Sequence, residues 1–265
     1  MNTVIEYESE FLKFIGCLEE SDSVNHVVII GSWAEYLYYK TGLLPGFEPD
    51  MSTIDLDVLV KNLRLPRKER NLIGIANENG FTYEEDYITG ISRFFGRDQF
   101  EVEFLIARRG KGTDKLPRTK LGVNAQQLSH LSMLAEFTAQ VNIGGQNLYV
   151  PTPEAYVLHK MIINNKRGLK AEKDRGKIAQ LLPFMEEEKW DEIQERISKK
   201  ERQLIKQFME DYPGVMQKAQ VSNVAVNVQK ETAEESILTQ LQEASTEVRK
   251  SRTRTTSRKK NDLER

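Results

Sequence analysis

The sequence predicts an α/β (α+β) fold in which a mixed sheet with flanking helices precedes a mostly helical C-terminal region and a disordered tail. Strand patterns alternate with helical patterns up to residue 150. From Pro153 to about Tyr212, helical patterns follow one another with few strand signals. After Pro213 the chain turns polar and poor in aromatic residues. These changes predict three parts, residues 1–150, 151–215 and 216–265.

The first part carries element signals along its whole length. Its helices are predicted from apolar residues at helical spacing, and its strands from short β-branched or alternating runs. Glycines and prolines separate the elements, as in the loop over residues 41–52. The predicted order is a helix at 4–18, a strand at 26–30, a helix at 33–40, a strand at 54–60, a helix at 67–79, a strand at 99–107 and a hairpin at 134–150.

Composition and charge exclude several classes of protein. The chain has 265 residues, of which 39% are hydrophobic and 29% charged, as in soluble globular proteins. The net charge of −2 predicts no partner. Cys17 is the only cysteine, which excludes an intramolecular disulfide and a zinc site built on several thiolates. The acidic start lacks signal-peptide features, and no apolar run could span a membrane, so we expect a cytoplasmic protein without a membrane partner.

The second predicted strand alternates apolar and acidic residues. Asp55 and Asp57 point to one side, while Ile54, Leu56 and Val58 point to the other, toward the core. Two carboxylates roughly 7 Å apart along a strand repel each other unless a cation lies between them. A divalent metal is the simplest such cation, because hard cations prefer oxygen ligands. The alternative is an exposed strand face whose acids are solvated.

Three neighbouring features favour the metal interpretation. The Gly31–Ser32 pair closes a buried strand and opens a helix, which suits a bound phosphate. On a later strand, Glu101 and Glu103 repeat the acidic alternation and offer a third carboxylate. A basic loop over residues 108–112 follows that strand. A metal pair held by three carboxylates beside an anion-binding turn is what phosphoryl or nucleotidyl transfer needs.

At this point the sequence resembles the nucleotidyltransferases of the DNA polymerase β superfamily. The family pattern is a Gly-Ser turn, a strand with Asp-x-Asp and a third acid on a later strand. It is also similar to a bacterial nucleotidyltransferase-like subgroup related to AbiE-type toxins of abortive-infection systems. That subgroup has an insert before the Asp-x-Asp strand and a later segment like Val150–Pro153 with Leu158–Ile162 and Lys173–Asp174. The resemblance covers about residues 24–185.

The resemblance implies a function as well as a fold. Residues 1–150 would form a catalytic domain that moves a nucleoside monophosphate from an NTP to an acceptor, using two Mg²⁺ ions, with Mn²⁺ as the alternative metal. The third acid of the family is usually aspartate, and here both candidates are glutamate. Glu103 matches the family strand better than Glu101 does. The implied metal and catalytic residues are Asp55, Asp57 and Glu103, and the implied nucleotide-binding residues are Gly31, Ser32 and Lys160.

Several of these side chains also have a structural interpretation. Ser32 could cap the following helix as well as contact phosphate. Lys160 lies on a predicted helix, where a lysine is usually solvated, while the resemblance directs it to the triphosphate. His159 is expected to pack between domains, and Asp174 is expected to pair with Lys160 or a neighbouring base. Trp33 is expected mainly in the core, with stacking on a base as the alternative.

The sequence at the end of the chain is compatible with several binding partners. Residues 247–265 contain eight Lys or Arg against three acids, and a short helix is predicted near residues 232–248. The basic tail predicts either contact with a nucleic acid or a solvated chain end. RNA, a protein and a small molecule are the candidate acceptors, and an antitoxin is a candidate partner. The alternative function is a catalytically weak or inactive nucleotide- or partner-binding module of the same fold.

Overall fold

The structure is a computed structural model that describes residues 3–49, 54–61, 71–108, 110 and 116–217. The chain divides into two compact units, Met1–Ala219 and Gln220–Arg265. The helix predicted near residues 232–248 and the basic tail belong to the second unit and lie outside the described residues. The division at residue 150 stays a prediction.

The described residues of the first unit include eight α-helices and eight strands with defined bounds, and residues 213–217 are helical as well. Short 3-10 turns connect several of them. In chain order the elements are α1 (Thr3–Glu20), β1 (Val27–Ile30), α2 (Ser32–Lys40), β2 (Leu56–Val60), α3 (Leu72–Glu78), β3 (Thr82–Glu85), β4 (Ser92–Phe95), β5 (Glu101–Ala107), β6 (Gln126–Leu128), α4 (Ser132–Glu136), β7 (Thr138–Ile143), β8 (Gln146–Pro151), α5 (Pro153–Ile163), α6 (Ala171–Leu181), α7 (Glu187–Arg196) and α8 (Lys199–Asp211).

The predicted mixed sheet is confirmed. Its strands follow the order β1-β2-β5-β4-β3, and β6 pairs with the end of β5. β1 runs antiparallel to β2, whereas β2 runs parallel to β5. The register pairs Asp57 of β2 with Glu103 of β5. Because paired residues point to the same face, the acids of two distant segments share one side of the sheet.

An aromatic cluster packs α1 against the opposite face. The ring of Phe14 on α1 lies 5.2 Å from that of Phe81, 5.4 Å from that of Phe94 and 6.4 Å from that of Phe104. All four side chains are essentially inaccessible to solvent. Buried aromatic pairs of this kind add to the stabilisation from burial alone. This face is therefore the main core, and it leaves the other face for the acidic side chains.

β2 is covered on both faces along part of its length. Leu56 and Val58 are fully buried, as predicted, but Leu59 on the acidic side is fully buried as well. Asp57 is half-buried and Asp55 is exposed just before the strand begins. The acidic face is therefore open only near the start of β2.

α5 is the most buried helix of the helical region that follows. The hydroxyl of Thr152 caps it by accepting a hydrogen bond from the Ala155 N–H at 3.3 Å, and Pro153 occupies its first turn. Every residue from Pro153 to Ile162 is buried, as expected of a helix packed on all sides. The Tyr38 hydroxyl of α2 donates to the Pro151 carbonyl at 2.8 Å, which ties the start of α5 to α2.

Several sequence predictions need correction. The hairpin predicted at 134–150 starts only at Thr138, because Ser132–Glu136 form a helix. β3, β4 and β6 were not predicted: β3 is mostly exposed and lacks apolar alternation, and β6 has only three residues. Of the helix predicted at 67–79, the part up to residue 70 lies outside the described residues. Within the described part of the chain, no helix is long and apolar enough to cross a membrane.

Candidate active site

The turn between β1 and α2 lies directly against Asp57. Gly31 has a φ of +69°, a conformation that favours glycine. A Cβ atom at this position would lie 2.5 Å from Oδ2 of Asp57, so any other side chain would collide with the carboxylate. Gly31 therefore allows the backbone of this turn to approach the acid, and it also precedes the first residue of α2.

Asp57 lies in an electrostatically unfavourable position. Burial, followed by the charges of Glu103 and Asp55, raises the pKa of Asp57 to about 6, while Arg167 and Lys170 oppose the shift. No cation within the described residues forms an ion pair with Asp55 or Asp57. A carboxylate with this combination of burial and repulsion would be stabilised by an added cation.

The second acidic pair has a different environment. Arg93 of β4 lies beside β5 and contacts both glutamates: its Nη2 is 2.8 Å from Glu103 Oε1, and its Nε is 3.0 Å from Glu101 Oε1. The contact with Glu101 lacks hydrogen-bond geometry, so it is an ionic contact only. Burial raises the pKa of Glu101, although Arg93 opposes the shift. Arg93 thus neutralises part of the negative charge of the two glutamates that would otherwise be available to bind a metal ion.

The donor set fits a hard cation at Asp55 and Asp57 better than it fits a three-acid cluster. Carboxylate oxygens are the ligands that Mg²⁺ prefers. Within the described residues, however, no group of three or more His, Cys, Asp or Glu side chains is arranged to hold a metal ion. Glu103 is in register with Asp57 but also bound to Arg93, so it would join the metal only by sharing or leaving that ion pair. The two Mg²⁺ ions stay a prediction.

A cavity with a volume of about 340 Å³ opens beside the turn and the acid. Gly31 and Asp57 both line it. An apolar wall includes Leu131 and Leu134, and a basic part contributes the cationic side chains Arg108, Lys160, Lys166 and Arg167. Pockets of this size that combine an apolar wall with a few convergent polar groups are typical ligand sites. The positive side chains suit an anionic ligand.

Lys160 is held in a buried ion-pair network. Its Nζ lies 2.8 Å from Asp174 Oδ1, which confirms the predicted pairing, and Arg167 Nε lies 2.8 Å from Oδ2 of the same carboxylate. Burial would raise the pKa of Asp174, but Lys160 and Arg167 hold it below its ordinary value. Burial lowers the pKa of Lys160, and Asp174 and Glu35 oppose that shift. Both cations are therefore oriented by one carboxylate.

A second buried network supports the turn. Lys177 of α6 donates to Glu35 Oε2 at 2.5 Å and to the Ser32 hydroxyl at 3.2 Å. The Tyr156 hydroxyl lies 2.5 Å from Glu35 Oε1 and 3.1 Å from the Gly31 carbonyl oxygen. These contacts fix the turn from two helices that come much later in the chain. Ser32 is the first residue of α2 rather than its cap, so the predicted capping role is wrong.

The structure brings most of the predicted site residues together. Gly31, Asp57 and Lys160 line one cavity, and Glu103 is in register with Asp57. His159 lines the same cavity. Trp33 is fully buried with its ring 4.3 Å from that of Phe11, so base stacking is excluded. In the basic loop, Arg109 and residues 111–115 lie outside the described residues.

Sequence reasoning missed the supporting charges. Glu35 is a single acid within the aromatic stretch of α2, and Lys177 is three positions after Asp174 on α6. Such charges on otherwise buried helix faces are a usable signal, because an unpaired buried charge is too costly to persist. Arg93 had a weaker signal, since its strand was not predicted. Its position across from Glu103 depends on the sheet order, which the sequence does not contain.

One of three comparisons with known proteins identifies a family. The chain matches a family model described as nucleotidyltransferase over residues 10–201. No curated protein gives a significant match. One similar solved structure is an antigenic nucleotidyltransferase-like protein from Paracoccidioides brasiliensis, with a TM-score of 0.44, 16% identity and coverage of 78% of this chain and 89% of that chain. Another is the antibiotic-resistance factor ANT(2'')-Ia, with a TM-score of 0.36, 12% identity and coverage of 89% and 97%.

The two structural likenesses are too distant to support an assignment, so the assignment to a family rests on the match to the family model. That match covers well over half of the chain and includes the glycine turn, both acidic pairs and the two basic networks. The chain therefore belongs to a nucleotidyltransferase family.

Proposed function

We propose that the protein is a Mg²⁺-dependent nucleotidyltransferase that transfers a nucleoside monophosphate from an NTP to an acceptor. The observation that carries the proposal is the position of Asp57. Its carboxylate lies against Gly31, is electrostatically coupled to Asp55 and Glu103, and lines a cavity that also has four cationic side chains. Membership of the family supports the reaction class.

The acids supply the metal-binding part of the site. Asp55 and Asp57 would hold the ion, and Glu103 would contribute if it shares or leaves its contact with Arg93. Bound Mg²⁺ would neutralise the triphosphate and stabilise the charge of the leaving pyrophosphate, and Mn²⁺ is the alternative ion. A bound cation would also relieve the repulsion that raises the pKa of Asp57.

The basic part of the cavity would bind the triphosphate. Lys160 and Arg167 are both oriented by Asp174, so they would meet the phosphates with little loss of side-chain freedom. Lys166 and Arg108 line the same cavity. The backbone N–H groups of Ser32 and Trp33 at the start of α2 would add donors for a phosphate oxygen.

The transfer itself is a displacement at the α-phosphorus. An oxygen of the acceptor forms a bond to this phosphorus, and the bond to the bridging oxygen of the β-phosphate breaks. The bridging oxygen keeps the electron pair and leaves as part of pyrophosphate. A hydroxyl acceptor loses its proton to Glu103 or to water, so the products are the nucleotidylated acceptor and pyrophosphate.

The first test is calorimetric binding of a non-hydrolysable ATP analogue with and without Mg²⁺. We expect the wild type to bind it in a Mg²⁺-dependent way, and the Asp55→Ala/Asp57→Ala double variant to lose that dependence. Glu78→Gln, at an exposed position at the end of α3, is a control that removes an acidic charge outside the site and should bind like the wild type.

Two results would contradict the proposal. A folded wild type that binds none of the four NTPs would exclude the nucleotide site. Binding that survives in the double variant with unchanged Mg²⁺ dependence would exclude Asp55 and Asp57 as the metal site. Release of pyrophosphate from labelled NTPs in the presence of candidate acceptors then tests for transfer.

A second function is favoured by one observation. Arg93 contacts both candidates for the third acid, Glu101 and Glu103. If that contact persists when nucleotide binds, the protein would be a nucleotide- or partner-binding module with weak transfer or none. NTP binding without pyrophosphate release from any acceptor would support this alternative.

The finer assignments follow from the sequence resemblance and remain part of the proposal. They are the bacterial subgroup related to AbiE-type toxins, a toxin-type role with an antitoxin partner, and an RNA, protein or small-molecule acceptor. The basic tail would add sequence-independent attraction to RNA, and its contribution would fall steeply with salt. Removal of residues 247–265 and measurement of RNA binding at two salt concentrations tests that contribution.

A further inference from the structure

Four exposed basic side chains lie beside the candidate active site. They are Arg108, Lys166, Arg167 and Lys170, and we call them the basic rim. Arg108, Lys166 and Arg167 line the cavity, whereas Lys170 follows Arg167 by three positions and is not among the residues that line it. Within the described part of the chain, no carboxylate forms an ion pair with Arg108, Lys166 or Lys170. The rim therefore has positive charge that no acid of the described protein neutralises.

The rim differs from the inner cation of the cavity. Lys160 is buried and held by Asp174, so it suits the triphosphate of an NTP within the cavity. Lys170, by contrast, is exposed and does not line the cavity, so a nucleotide that fills the cavity would leave its charge unused. Lys170 thus extends the positive charge beyond the space that one nucleotide occupies.

The position of Lys170 connects it with the reacting acids. Lys170 immediately precedes α6, seven positions before Lys177, and residues seven apart lie on one face of a helix. Lys177 contacts the Ser32 hydroxyl at the glycine turn, so this face of α6 leads from the turn toward solvent over about 10 Å. Burial raises the pKa of Asp57, and the positive charges of Arg167 and Lys170 oppose that rise. Lys170 is therefore close enough to act on an acid of the site.

The charge of the rim discriminates between classes of acceptor. A cationic small molecule would be repelled, and an acceptor without negative charge would gain nothing from four cations. A nucleic-acid strand carries a phosphate on the same nucleotide as its terminal hydroxyl, and phosphates are the groups that exposed Lys and Arg side chains bind in such complexes. Cations beside the reacting acids thus suit an acceptor whose hydroxyl and phosphates lie side by side.

We propose that the basic rim binds the phosphate backbone of a nucleic-acid strand, and that this strand is the acceptor. The proposal rests on the proposed function, because it assumes that an NTP reacts at Asp55 and Asp57. The terminal hydroxyl oxygen of the strand bonds to the α-phosphorus of the NTP. Pyrophosphate leaves with the electron pair of the broken bond, and the hydroxyl proton passes to water. Lys170 would contact a backbone phosphate outside the cavity that the NTP occupies.

The experiment measures binding of a labelled single-stranded RNA to the full-length protein by fluorescence anisotropy, with Mg²⁺ and without NTP. We expect Lys170→Gln to lower the affinity by about fivefold at about 0.1 M salt, as for one lost phosphate contact with a single strand. The slope of log affinity against log salt concentration should become shallower by about 0.7. Lys170→Arg keeps the charge and should bind like the wild type. The basic tail is unchanged in every variant, so its contribution cancels in the comparison.

Lys206→Gln is the matched control, because it removes the charge of an exposed lysine on α8 that does not line the cavity. It should bind RNA like the wild type. Binding of the non-hydrolysable ATP analogue to Lys170→Gln should change by less than about twofold, since Lys170 does not line the cavity. In the presence of a labelled NTP, the wild type should transfer the nucleotide to the RNA. Lys170→Gln should raise the KM for RNA by about fivefold and retain kcat.

The outcomes separate this proposal from the proposed function. Equal RNA affinities of Lys170→Gln and Lys206→Gln would overturn the role of the rim. A wild type that binds the RNA but transfers no nucleotide to it would overturn the strand as acceptor. Polyglutamate that binds as tightly as RNA, with the same dependence on Lys170, would make the partner an acidic protein instead.

In these three cases the proposed function stands if the wild type binds the ATP analogue in a Mg²⁺-dependent way and the Asp55→Ala/Asp57→Ala variant does not. A wild type that binds no NTP overturns both proposals, since no nucleotide would then be available for transfer to the strand.

Discussion

The two acidic pairs of this sheet have the same sequence pattern and opposite environments. Asp57 lies on β2 with Asp55 just before the strand, Glu101 and Glu103 lie on the adjacent β5, and each pair is spaced by two residues. Arg93 contacts both glutamates, whereas no cation of the described residues pairs with either aspartate. An acidic alternation therefore does not by itself identify a metal site. The unpaired acid beside a cavity is the better candidate.

The greatest change is expected in the rate of transfer, and it tests which of the two acidic pairs the reaction needs. Asp57→Asn should lower the rate of pyrophosphate release by at least about 100-fold, because it removes a charge that would bind the metal. Glu101→Gln should change it by less than about fivefold, since Glu101 is partly neutralised by Arg93 and does not line the cavity. Equal losses in both variants would contradict the comparison.

The next largest effect is expected on the free energy of unfolding when a charge with an ion-pair partner is removed. Lys160→Met should destabilise the protein by about 2 kcal/mol, because it leaves the buried Asp174 with Arg167 as its remaining partner. Urea denaturation measures the effect. The Lys160→Met/Asp174→Asn double variant should be more stable than the sum of the two single effects predicts, and simple additivity would exclude a coupled pair.

Removing the charge of Asp57 should raise the free energy of unfolding instead of lowering it. Its pKa of about 6 in the folded protein exceeds the ordinary value of 3.8, so the folded state binds more protons than the unfolded state between these values. The free energy of unfolding of the wild type therefore falls as the pH rises from about 4 to about 6, and it stays lower at higher pH. Asp57→Asn avoids this loss and should be more stable at pH 7 by about 2 kcal/mol.

Urea denaturation in EDTA between pH 4 and pH 8 measures this difference without a metal contribution. The gain of Asp57→Asn should grow up to about pH 6 and stay constant above it. Glu78→Gln, at an exposed site, should show no such dependence. A destabilised Asp57→Asn at pH 7 would mean that the carboxylate makes a favourable contact in the folded protein, and would contradict the contrast between the two acidic pairs.

The smallest effect sharpens the role of Arg93. Arg93→Gln should destabilise the protein by about 1 kcal/mol, because its contacts with Glu101 and Glu103 are half-exposed. A double-mutant cycle with Glu103→Gln measures the coupling, and a coupling near zero would show that the ion pair is not maintained in solution. Arg93→Gln should also raise Mg²⁺ affinity in a titration if it frees Glu103 for the metal.

The local sequence was sufficient for much of the fold. Helical spacing predicted α1, α2 and the helices after Pro153, because an amphipathic or fully apolar pattern has few other ways to be buried. Alternation predicted β2 and β5, and the core positions Leu56 and Val58 are buried as expected. The turn at Gly31 before α2 was predicted from the change from a strand pattern to a helix pattern. Exposed β3 and three-residue β6 were missed, since pairing rather than hydrophobic pattern defines them.

Local sequence was enough to predict the class of fold, the two acidic pairs and the glycine turn, because these depend on neighbours within a few residues. The tertiary structure was needed to show that Arg93 pairs with Glu103, that Lys177 contacts Ser32 from a distant helix and that His159 lines the cavity. Such contacts join residues that are distant in the chain. Their energies depend on burial and distance, which no local pattern contains.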